Sequence, residues 1–338
     1  MQWGLPGAPP PGIPGDPGLF GPGSEVWRVG RERVLLLGGP AALLLQLAHP
    51  LVAAGVAEHS RFADDPLARL RATLDATLTI TFGDRVQARA AAVRVAAAHR
   101  RVQGHLRQAV GPWPAGTRYR ARDPHAALWV HATLVATAVE VFDRLVAPLG
   151  DADRTRYYEE AKAFAALFGV TRRVLPPTWA DFERYLAAMV EEGLAVDRQA
   201  RELAAAVLAV PSLGALPGLL DPVAPLAAWL LPPRLRRAFG LAWDHRARAE
   251  VELLSRAARV TLPLLPPRVR WWPHYRAAAR RAAAAASSSC STQRTMALAS
   301  SSTVGTSSGS AVSPNVSRPF QVSAATTRPR SLTSGRIG

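Results

Sequence analysis

The sequence predicts an all-α protein, with a single multi-helix domain at residues 23–286 between a disordered arm at 1–22 and a disordered tail at 287–338. Alanine and leucine dominate, β-branched runs are few and aromatic residues make up only 7%, a balance that favours helices. No fixed-period repeat or clear strand pattern is present. The arm is rich in Pro and Gly and the tail in Ser, Thr and Arg, so neither has enough apolar surface to offset its ordering entropy.

Caps and breaks mark the predicted helices of the N-terminal half. Ser24 can open a short helix. An apolar helix at 41–60 should bend at Pro50, which lacks the backbone N–H that a continuous helix needs. Asp65 precedes a proline and a periodic segment, as at many helix starts. Asp84 follows a glycine and can cap the next long helix.

The C-terminal half follows the same rules. Asp123 again precedes a proline and opens a long apolar helix, a second helix is expected at 154–168, and Thr178 caps a third. Further helices are separated by proline-rich breaks, which lie near residues 211–225, 231–233 and 263–267.

The net charge of +16 at pH 7 first suggests a nucleic-acid partner, but the arrangement of the charges does not. Arginines alternate with acids up to Glu252, and no nucleic-acid-binding motif accompanies the excess. Cys290 is the only cysteine, which excludes an intrachain disulfide and a cysteine-rich metal site. The N-terminus lacks the pattern of a signal peptide. We therefore expect a cytoplasmic protein that does not bind nucleic acid.

The run from Leu35 to Ser60 is apolar enough for a membrane span, yet it contains polar residues that lipid would leave unpaired. Gln46 and His49 are three residues apart and would share one helical face. The run is therefore a membrane anchor, a plain core helix or one wall of a pocket. Its internal proline and its polar pair favour a buried helix that faces a pocket.

A polar stripe follows the helix after Asp65. Its members are spaced four residues apart and are Arg69, Thr73, Thr77 and Thr81. A solvated helix face is the simplest interpretation of such a stripe. Because three of the four residues are threonines, the stripe also suits a polar wall that holds an anionic or oxygen-bearing group.

Three histidines lie among small apolar residues, at His49, His99 and His131. Each taken alone resembles an ordinary core or surface histidine. Taken together they suggest a cofactor, because a flat macrocycle needs a neutral imidazole on a helix and small neighbours that let the ring approach. His99, which three alanines precede, meets that description best.

Motifs of other enzyme classes are absent from the sequence. It contains no Glu-x-x-His pair, no H-E-x-x-H and no cysteine set for zinc. It also contains no G-x-S-x-G elbow, P-loop or dinucleotide fingerprint. Hydrolase, kinase and nicotinamide-dehydrogenase functions are therefore disfavoured.

Several ordered segments resemble the mpaB-type oxygenase family, which includes the catalytic domain of the rubber oxygenases (latex-clearing proteins). The resemblance covers roughly residues 20–270 and is carried by GPGSEVWRVGRERVLLLGGPAALLLQLAHPLVAAGVAEHSRFADDPLARLRATL, TFGDR, HRRVQG and YRARDPHAALWVHATL. It implies an all-helical domain with a globin-like core that binds haem b. It also implies that His99 is the proximal iron ligand and that Arg69 and Thr73 are catalytic residues on the distal side, where they donate hydrogen bonds to dioxygen or to a propionate.

The chain departs from the rubber oxygenases at Ala72, where those enzymes carry a lysine. Because of this departure the substrate is not expected to be simply polyisoprene. The resemblance implies a haem b-dependent oxygenase that uses dioxygen on a hydrophobic substrate, with an alkene or an isoprenoid-like chain as options. His49 and His131 are expected as secondary cofactor-binding or pocket residues. The alternative is a non-catalytic helical protein of the same fold that binds a lipid or hydrophobic ligand. Peripheral membrane contact through Trp271 and Trp272 is compatible with either function.

Overall fold

A computed structural model describes residues 6–59, 66–209 and 223–284, with the backbone alone described at 66–70. The tail predicted at 287–338 lies outside the described residues. The N-terminal half contains these elements: α1 (Glu25–Gly30), a 3-10 turn (Arg33–Gly38), α2 (Gly39–Leu47), α3 (Pro50–His59), α4 (Pro66–Phe82), α5 (Arg85–His99), β1 (Gln103–His105) and β2 (Arg118–Arg120).

The C-terminal half is helical throughout its described residues. It contains α6 (Pro124–Leu145), α7 (Asp151–Ala166), α8 (Trp179–Ala188), a π-helical turn (Met189–Gly193), α9 (Arg198–Leu208), α10 (Val223–Leu230), α11 (Pro233–Ala238), α12 (His245–Thr261), a 3-10 turn (Leu262–Leu264), α13 (Pro267–Arg270) and helical residues 273–284, here called α14. The all-α class predicted from the sequence is confirmed.

The helix starts follow the predicted caps. Asp84 and Thr178 each form a capping box, in which the cap side chain and the side chain three residues later exchange hydrogen bonds with each other's backbone. Asp123 accepts hydrogen bonds from the backbone N–H groups of His125 and Ala126 at 2.9 and 3.2 Å. These side chains satisfy donors that the first turn of a helix leaves without partners.

The long apolar run bends sharply. The axis of Arg33–Leu47 meets that of Pro50–His59 at 104°, which confirms the break predicted at Pro50. Among the described helices, α6 alone is long and apolar enough to cross a membrane unbroken, and the bent pair passes the same test only when counted as one span. More than half of the most apolar window of α6 (56%) is buried within the protein. A core helix of a soluble protein passes the same test.

Helix α6 lies at the centre of the packing. Its side chains contact α2 on one side and α1, α7 and α8 on the other. Trp129, which is fully buried, donates from Nε1 to the Leu45 carbonyl oxygen at 3.0 Å and so fixes α6 against α2.

A short antiparallel hairpin follows α5 and corrects the expectation that the chain has no strand. Its register pairs Gln103 with Arg120 and Gly104 with Tyr119. A Cβ atom at Gly104 would lie 2.5 Å from the Tyr119 hydroxyl, so a side chain cannot replace the glycine without displacing the tyrosine. Each strand has three residues, too few for an alternating pattern to be recognised in the sequence.

The described part of the arm, residues 6–22, has no helix or strand, as its composition predicts. It is nevertheless held on the turn between α4 and α5. The Ile13 N–H donates to Asp84 Oδ2 at 2.8 Å, and the Gln87 amide donates to the Pro10 carbonyl at 3.1 Å. Arg281 donates to the Asp16 carbonyl at 2.7 Å. These contacts fix residues 10–16 of the arm that was expected to be disordered.

The tryptophans expected at a membrane interface face the protein instead. Trp272 is 2% exposed and packs with Trp27, Phe82 and Tyr275. Trp271 donates from Nε1 to a carboxylate oxygen of Glu32 at 3.2 Å. Trp272 is buried because the start of α14 closes over α1 and α4, whereas Trp271 is half-buried.

Candidate functional site

Helices α4 and α5 form an antiparallel hairpin joined at Gly83 and Asp84. A helix rises about 1.5 Å per residue, so Arg69 stands about 21 Å from the turn along α4 and His99 about 23 Å along α5. Both residues therefore lie at the open end of the hairpin at nearly the same height. Thr73 lies one helical turn closer to the connection, at about 15 Å.

The polar stripe on α4 runs from the surface into the core. Thr73 is exposed, Thr77 is half-buried and Thr81 is buried. The backbone carbonyl of Thr81 accepts a hydrogen bond from Trp27 Nε1 at 3.0 Å, which ties that end of the stripe to α1. A buried polar wall is thus present only near the turn, whereas Thr73 faces the open end.

His99 is the last residue of α5 and is half-buried. A cavity of about 370 Å³ at the same helix end is lined by Ala97, Ala98, Arg100 and Arg101, and His99 is not among its lining residues. The small methyl groups allow a flat group to approach the helix, and the two guanidinium groups can pair with carboxylates. An alanine surface and two arginines therefore meet at this helix end, and His99 is their neighbour along the chain rather than part of the same lining.

These residues fit haem better than they fit a bare metal ion. The described residues contain no group of three or more His, Cys, Asp or Glu side chains that could hold an ion. A haem brings four nitrogen ligands of its own and needs one axial side chain, which His99 can provide. Arg100 and Arg101 have the charge that the two propionates require.

His49 sits at the bend between α2 and α3 and is 5% exposed. Its Nδ1 accepts a hydrogen bond from the Leu51 N–H at 3.3 Å, and its ring centroid lies 5.1 Å from that of Trp113. Burial lowers the pKa of His49 to about 4, so the imidazole is neutral at pH 7. Gln46 instead donates to Thr133 Oγ1 at 3.0 Å, so the expected pair does not act on a common group.

His131 lies in the middle of α6, 7% exposed, with its ring stacked on Phe164 at a centroid distance of 6.1 Å. Its Nε2 atom is buried and has no hydrogen-bond partner among the described residues. Burial lowers the pKa of His131 to about 4. His49, His99 and His131 therefore occupy three different surroundings.

The buried histidines predict a loss of stability in acid. The folded pKa of His49 and of His131 is about 4, below the unfolded value of 6.5, so the unfolded chain takes up protons first as the pH falls. Their contribution is complete above pH 6.5 and should fall by about 1.4 kcal/mol per pH unit per histidine below it. Urea unfolding of wild type and His131→Leu between pH 7 and pH 4 measures this slope.

His131→Leu should have a visibly shallower pH dependence than wild type. His125→Leu is the matched control, because His125 lies on the same helix and is exposed. Equal slopes for wild type and His131→Leu would show that the buried imidazole does not control acid stability.

A polar network that joins α3 to the β-hairpin was not predicted. Tyr119, which is buried, donates its hydroxyl to Glu58 Oε2, and Arg107 donates from Nε to Glu58 Oε1 at 3.1 Å. His59 Nε2 donates to the Gln103 carbonyl at 3.1 Å and lies 3.3 Å from the Tyr119 hydroxyl. Burial and the Glu58 carboxylate raise the pKa of Tyr119. The polar residues at the end of the apolar run were the only signal in the sequence.

His274 is a second residue that sequence reasoning missed. It is 1% exposed, and its Nδ1 has no hydrogen-bond partner among the described residues. Its Nε2 lies 3.9 Å from Asp75 Oδ1 on α4, two residues along the chain from Thr73. Burial lowers the pKa of His274. Only its place in an aromatic run hinted that it would be buried.

A second cavity lies away from His99, at the π-helical turn. Its volume is about 370 Å³, and its lining residues are Pro112, Trp113, Tyr185, Ala188, Met189, Glu192 and Gly193. Trp113 Nε1 donates to the Gly193 carbonyl at 3.1 Å, which holds the indole at the cavity edge. Aromatic rings and a flexible thioether suit an apolar ligand.

The comparisons with known proteins agree with the resemblance seen in the sequence. A profile of the family described as "ER-bound oxygenase mpaB/B'/Rubber oxygenase, catalytic domain" matches residues 27–261, more than two thirds of the chain. Two curated relatives, the uncharacterized proteins Mb2261 of Mycobacterium bovis and Rv2237 of Mycobacterium tuberculosis, are each 30% identical over 242 residues. These matches cover 68% of this chain and 89% of each relative. No solved structure matches the chain significantly.

Proposed function

This chain belongs to the family of mpaB and rubber oxygenase catalytic domains, and from that membership we propose a haem b-dependent oxygenase that uses dioxygen on a hydrophobic substrate. The family supports an oxidoreductase, and the proposal adds the cofactor and the substrate class. The observation that carries it is the end of α5, where His99, Arg100 and Arg101 follow one another at a helix end that also has an alanine-lined cavity.

In this proposal His99 would bond to the haem iron, and Arg100 and Arg101 would pair with the propionates. Bound haem would supply the redox-active iron at which dioxygen is activated. Arg69 and Thr73 are proposed to orient the oxygen-bearing group by donating hydrogen bonds to it. The positions of Arg69 and Thr73 near the open end of the α4–α5 hairpin support this role. Measured along the hairpin, Arg69 is nearly level with His99, and Thr73 is within about 8 Å of that level.

The Glu58 network has a separate role in the proposal. The Glu58 carboxylate holds the Tyr119 hydroxyl proton, while Arg107 supplies a compensating charge. His59 links this group to Gln103, four residues after His99. The network can hold the end of α3 against the hairpin of β1 and β2.

Haem binding is tested by an optical spectrum. Protein purified from haem-supplemented cells should show a Soret band, and oxygen uptake should rise when an unsaturated hydrocarbon is added. Colourless protein after supplementation would refute the cofactor. Red protein without oxygen uptake on alkene or isoprenoid substrates would refute the substrate class and leave the cofactor assignment intact.

Thr73→Val should separate catalysis from haem binding. The valine keeps the shape of the side chain and removes the hydroxyl donor, so haem content should persist while oxygen uptake falls about 10- to 100-fold. Thr79→Val is the matched control, because Thr79 lies on another face of the same helix and is not part of the stripe. Equal activity of Thr73→Val and wild type would exclude Thr73 from the reaction.

The second cavity favours one alternative function, a non-catalytic hydrophobic-ligand-binding protein. Ala188→Trp should fill the cavity, because Ala188 lines it and is exposed, whereas Ala187→Trp places the same ring outside the lining. If the apolar fluorescent probe anilinonaphthalene sulfonate binds wild type and Ala187→Trp but not Ala188→Trp, the second cavity is a ligand-binding site. That result in a protein that binds no haem would replace the oxygenase proposal.

A further inference from the structure

The described surface has an uneven distribution of exposed large apolar side chains. Eight are prominent, and five of them fall within 17 residues of the C-terminal third. These five, called the apolar ridge below, are Leu253 (67% exposed), Val260 (67%), Leu264 (78%), Leu265 (37%) and Val269 (48%). Exposed apolar groups concentrated in this way indicate an interaction surface.

Helix α12 has two opposite faces that explain the ridge. Ala247 and Val251 are buried against α6 and α10. Leu253 and Val260 are seven residues apart, so they stand two helical turns apart on the outward face. The helix is therefore fixed to the protein by one apolar stripe and carries a second stripe that no described residue covers.

The ridge continues into a corner that proline residues stiffen. Leu264 ends a 3-10 turn and Leu265 has extended backbone angles, between Pro263 on one side and Pro266 and Pro267 on the other. Proline removes backbone freedom before binding, so presenting these leucines to a partner costs little additional entropy. Leu264 is the most exposed large apolar side chain described.

Positive charge surrounds the ridge. Arg256, Arg259 and Arg268 are exposed within it or at its edge; Arg256 pairs with Glu252, and no acid follows Glu252 in the sequence. Arg259 donates to the carbonyls of Asp143 and Arg144 at 2.9 Å, which fixes its position while leaving its charge uncompensated. An apolar ridge with a cationic border is complementary to the acyl and phosphate layers of an anionic membrane.

We propose that the apolar ridge is a membrane-docking surface that inserts Leu264 and Leu265 into an anionic phospholipid leaflet. The expected contact is peripheral, because one helix face and one corner are available rather than a spanning segment. This inference stands apart from the haem proposal, since it uses residues of α12 and α13 and none of the α4–α5 site. It also relocates the membrane contact from Trp271 and Trp272 to the outward face of α12.

The test is vesicle co-sedimentation of the full-length chain. Wild type should bind vesicles of phosphatidylcholine and phosphatidylserine, bind phosphatidylcholine alone much more weakly, and be released as salt rises. Leu264→Asp/Leu265→Asp should lower the partition coefficient by about tenfold or more. Arg268→Gln should lower it by about fivefold, as expected for one cation near an anionic surface.

The matched control is Val86→Asp/Val93→Asp. These valines are 62% and 65% exposed on α5, and the change adds the same two charges outside the ridge. All variants keep residues 285–338, so any lipid affinity of that segment is common to them. Thermal melting should be equal for both double variants, because each replaces exposed side chains.

Three outcomes would overturn the proposal. The first is absence of wild-type binding to anionic vesicles, and the second is equal binding by the two double variants. The third is that the ridge variant dissociates a dimer in light scattering or lowers the melting temperature, which would show that a second copy or another segment of the chain covers the ridge.

Discussion

Replacing His99 with alanine is expected to remove the haem. The variant loses the only side chain proposed to bond to the iron, and each 1.4 kcal/mol lost lowers affinity tenfold, so we expect haem affinity to fall about 100-fold or more. The Soret absorbance of protein purified from supplemented cells, normalised to protein concentration, gives the result directly. Apoprotein titrated with haemin gives the affinity.

His105→Ala is the matched control for this experiment. His105 lies six residues further along the chain, on β1, and is exposed. His99→Gly adds a positive test, because free imidazole should restore the Soret band only if the missing group was an iron ligand. A His99→Ala protein with wild-type haem content would exclude the assignment, and failure of imidazole rescue in a folded His99→Gly protein would indicate a structural role.

Replacing Glu32 with alanine is expected to cause the largest loss of stability. Glu32 is fully buried and its carboxylate accepts hydrogen bonds from Arg270 Nε at 2.7 Å and Trp271 Nε1 at 3.2 Å. Arg31 Nε contributes a third, longer contact at 3.4 Å. Removal of the carboxylate leaves the largely buried Arg270 guanidinium without its partner, which costs about 3–5 kcal/mol. Urea unfolding of wild type and variant measures the difference.

An exposed pair supplies the control for Glu32. Glu202 pairs with Arg198 on α9, with side chains 62% and 90% exposed, so Glu202→Ala should change the free energy of unfolding by about 0.5 kcal/mol or less. Similar small changes for both variants would mean that solvent reaches the Glu32 pair. Because Glu32 joins residues 238 positions apart, its loss should also increase proteolysis of the segment from α13 onward.

Features that depend on neighbouring residues could be predicted from the sequence. Asp84, Asp123 and Thr178 cap helices because their oxygens reach backbone N–H groups two or three residues later. Pro50 breaks the apolar run because it lacks a donor, whatever surrounds it. The all-α class is the sum of such local effects.

Features that depend on distant residues could not be predicted in this way. The ring of His49 packs on Trp113, 64 positions later, so the sequence could mark the histidine as unusual but not identify its neighbour. The hydrogen bond from Tyr119 to Glu58 depends on a hairpin whose strands are too short to be recognised in the sequence. Trp272 was expected at a surface because its burial depends on the closing of α14 over α1.

The sequence by itself therefore determined the fold class, the helix starts, the bend at Pro50 and the residues of the α4–α5 hairpin that resemble a haem site. Only the tertiary structure decided which candidate residues lie in the same environment. It left His99 half-buried at the end of α5, left His131 buried without a partner for Nε2 among the described residues, and moved the exposed apolar surface to α12. The physical reason is range: capping and proline effects act within one helical turn, whereas burial and pairing depend on which helices meet.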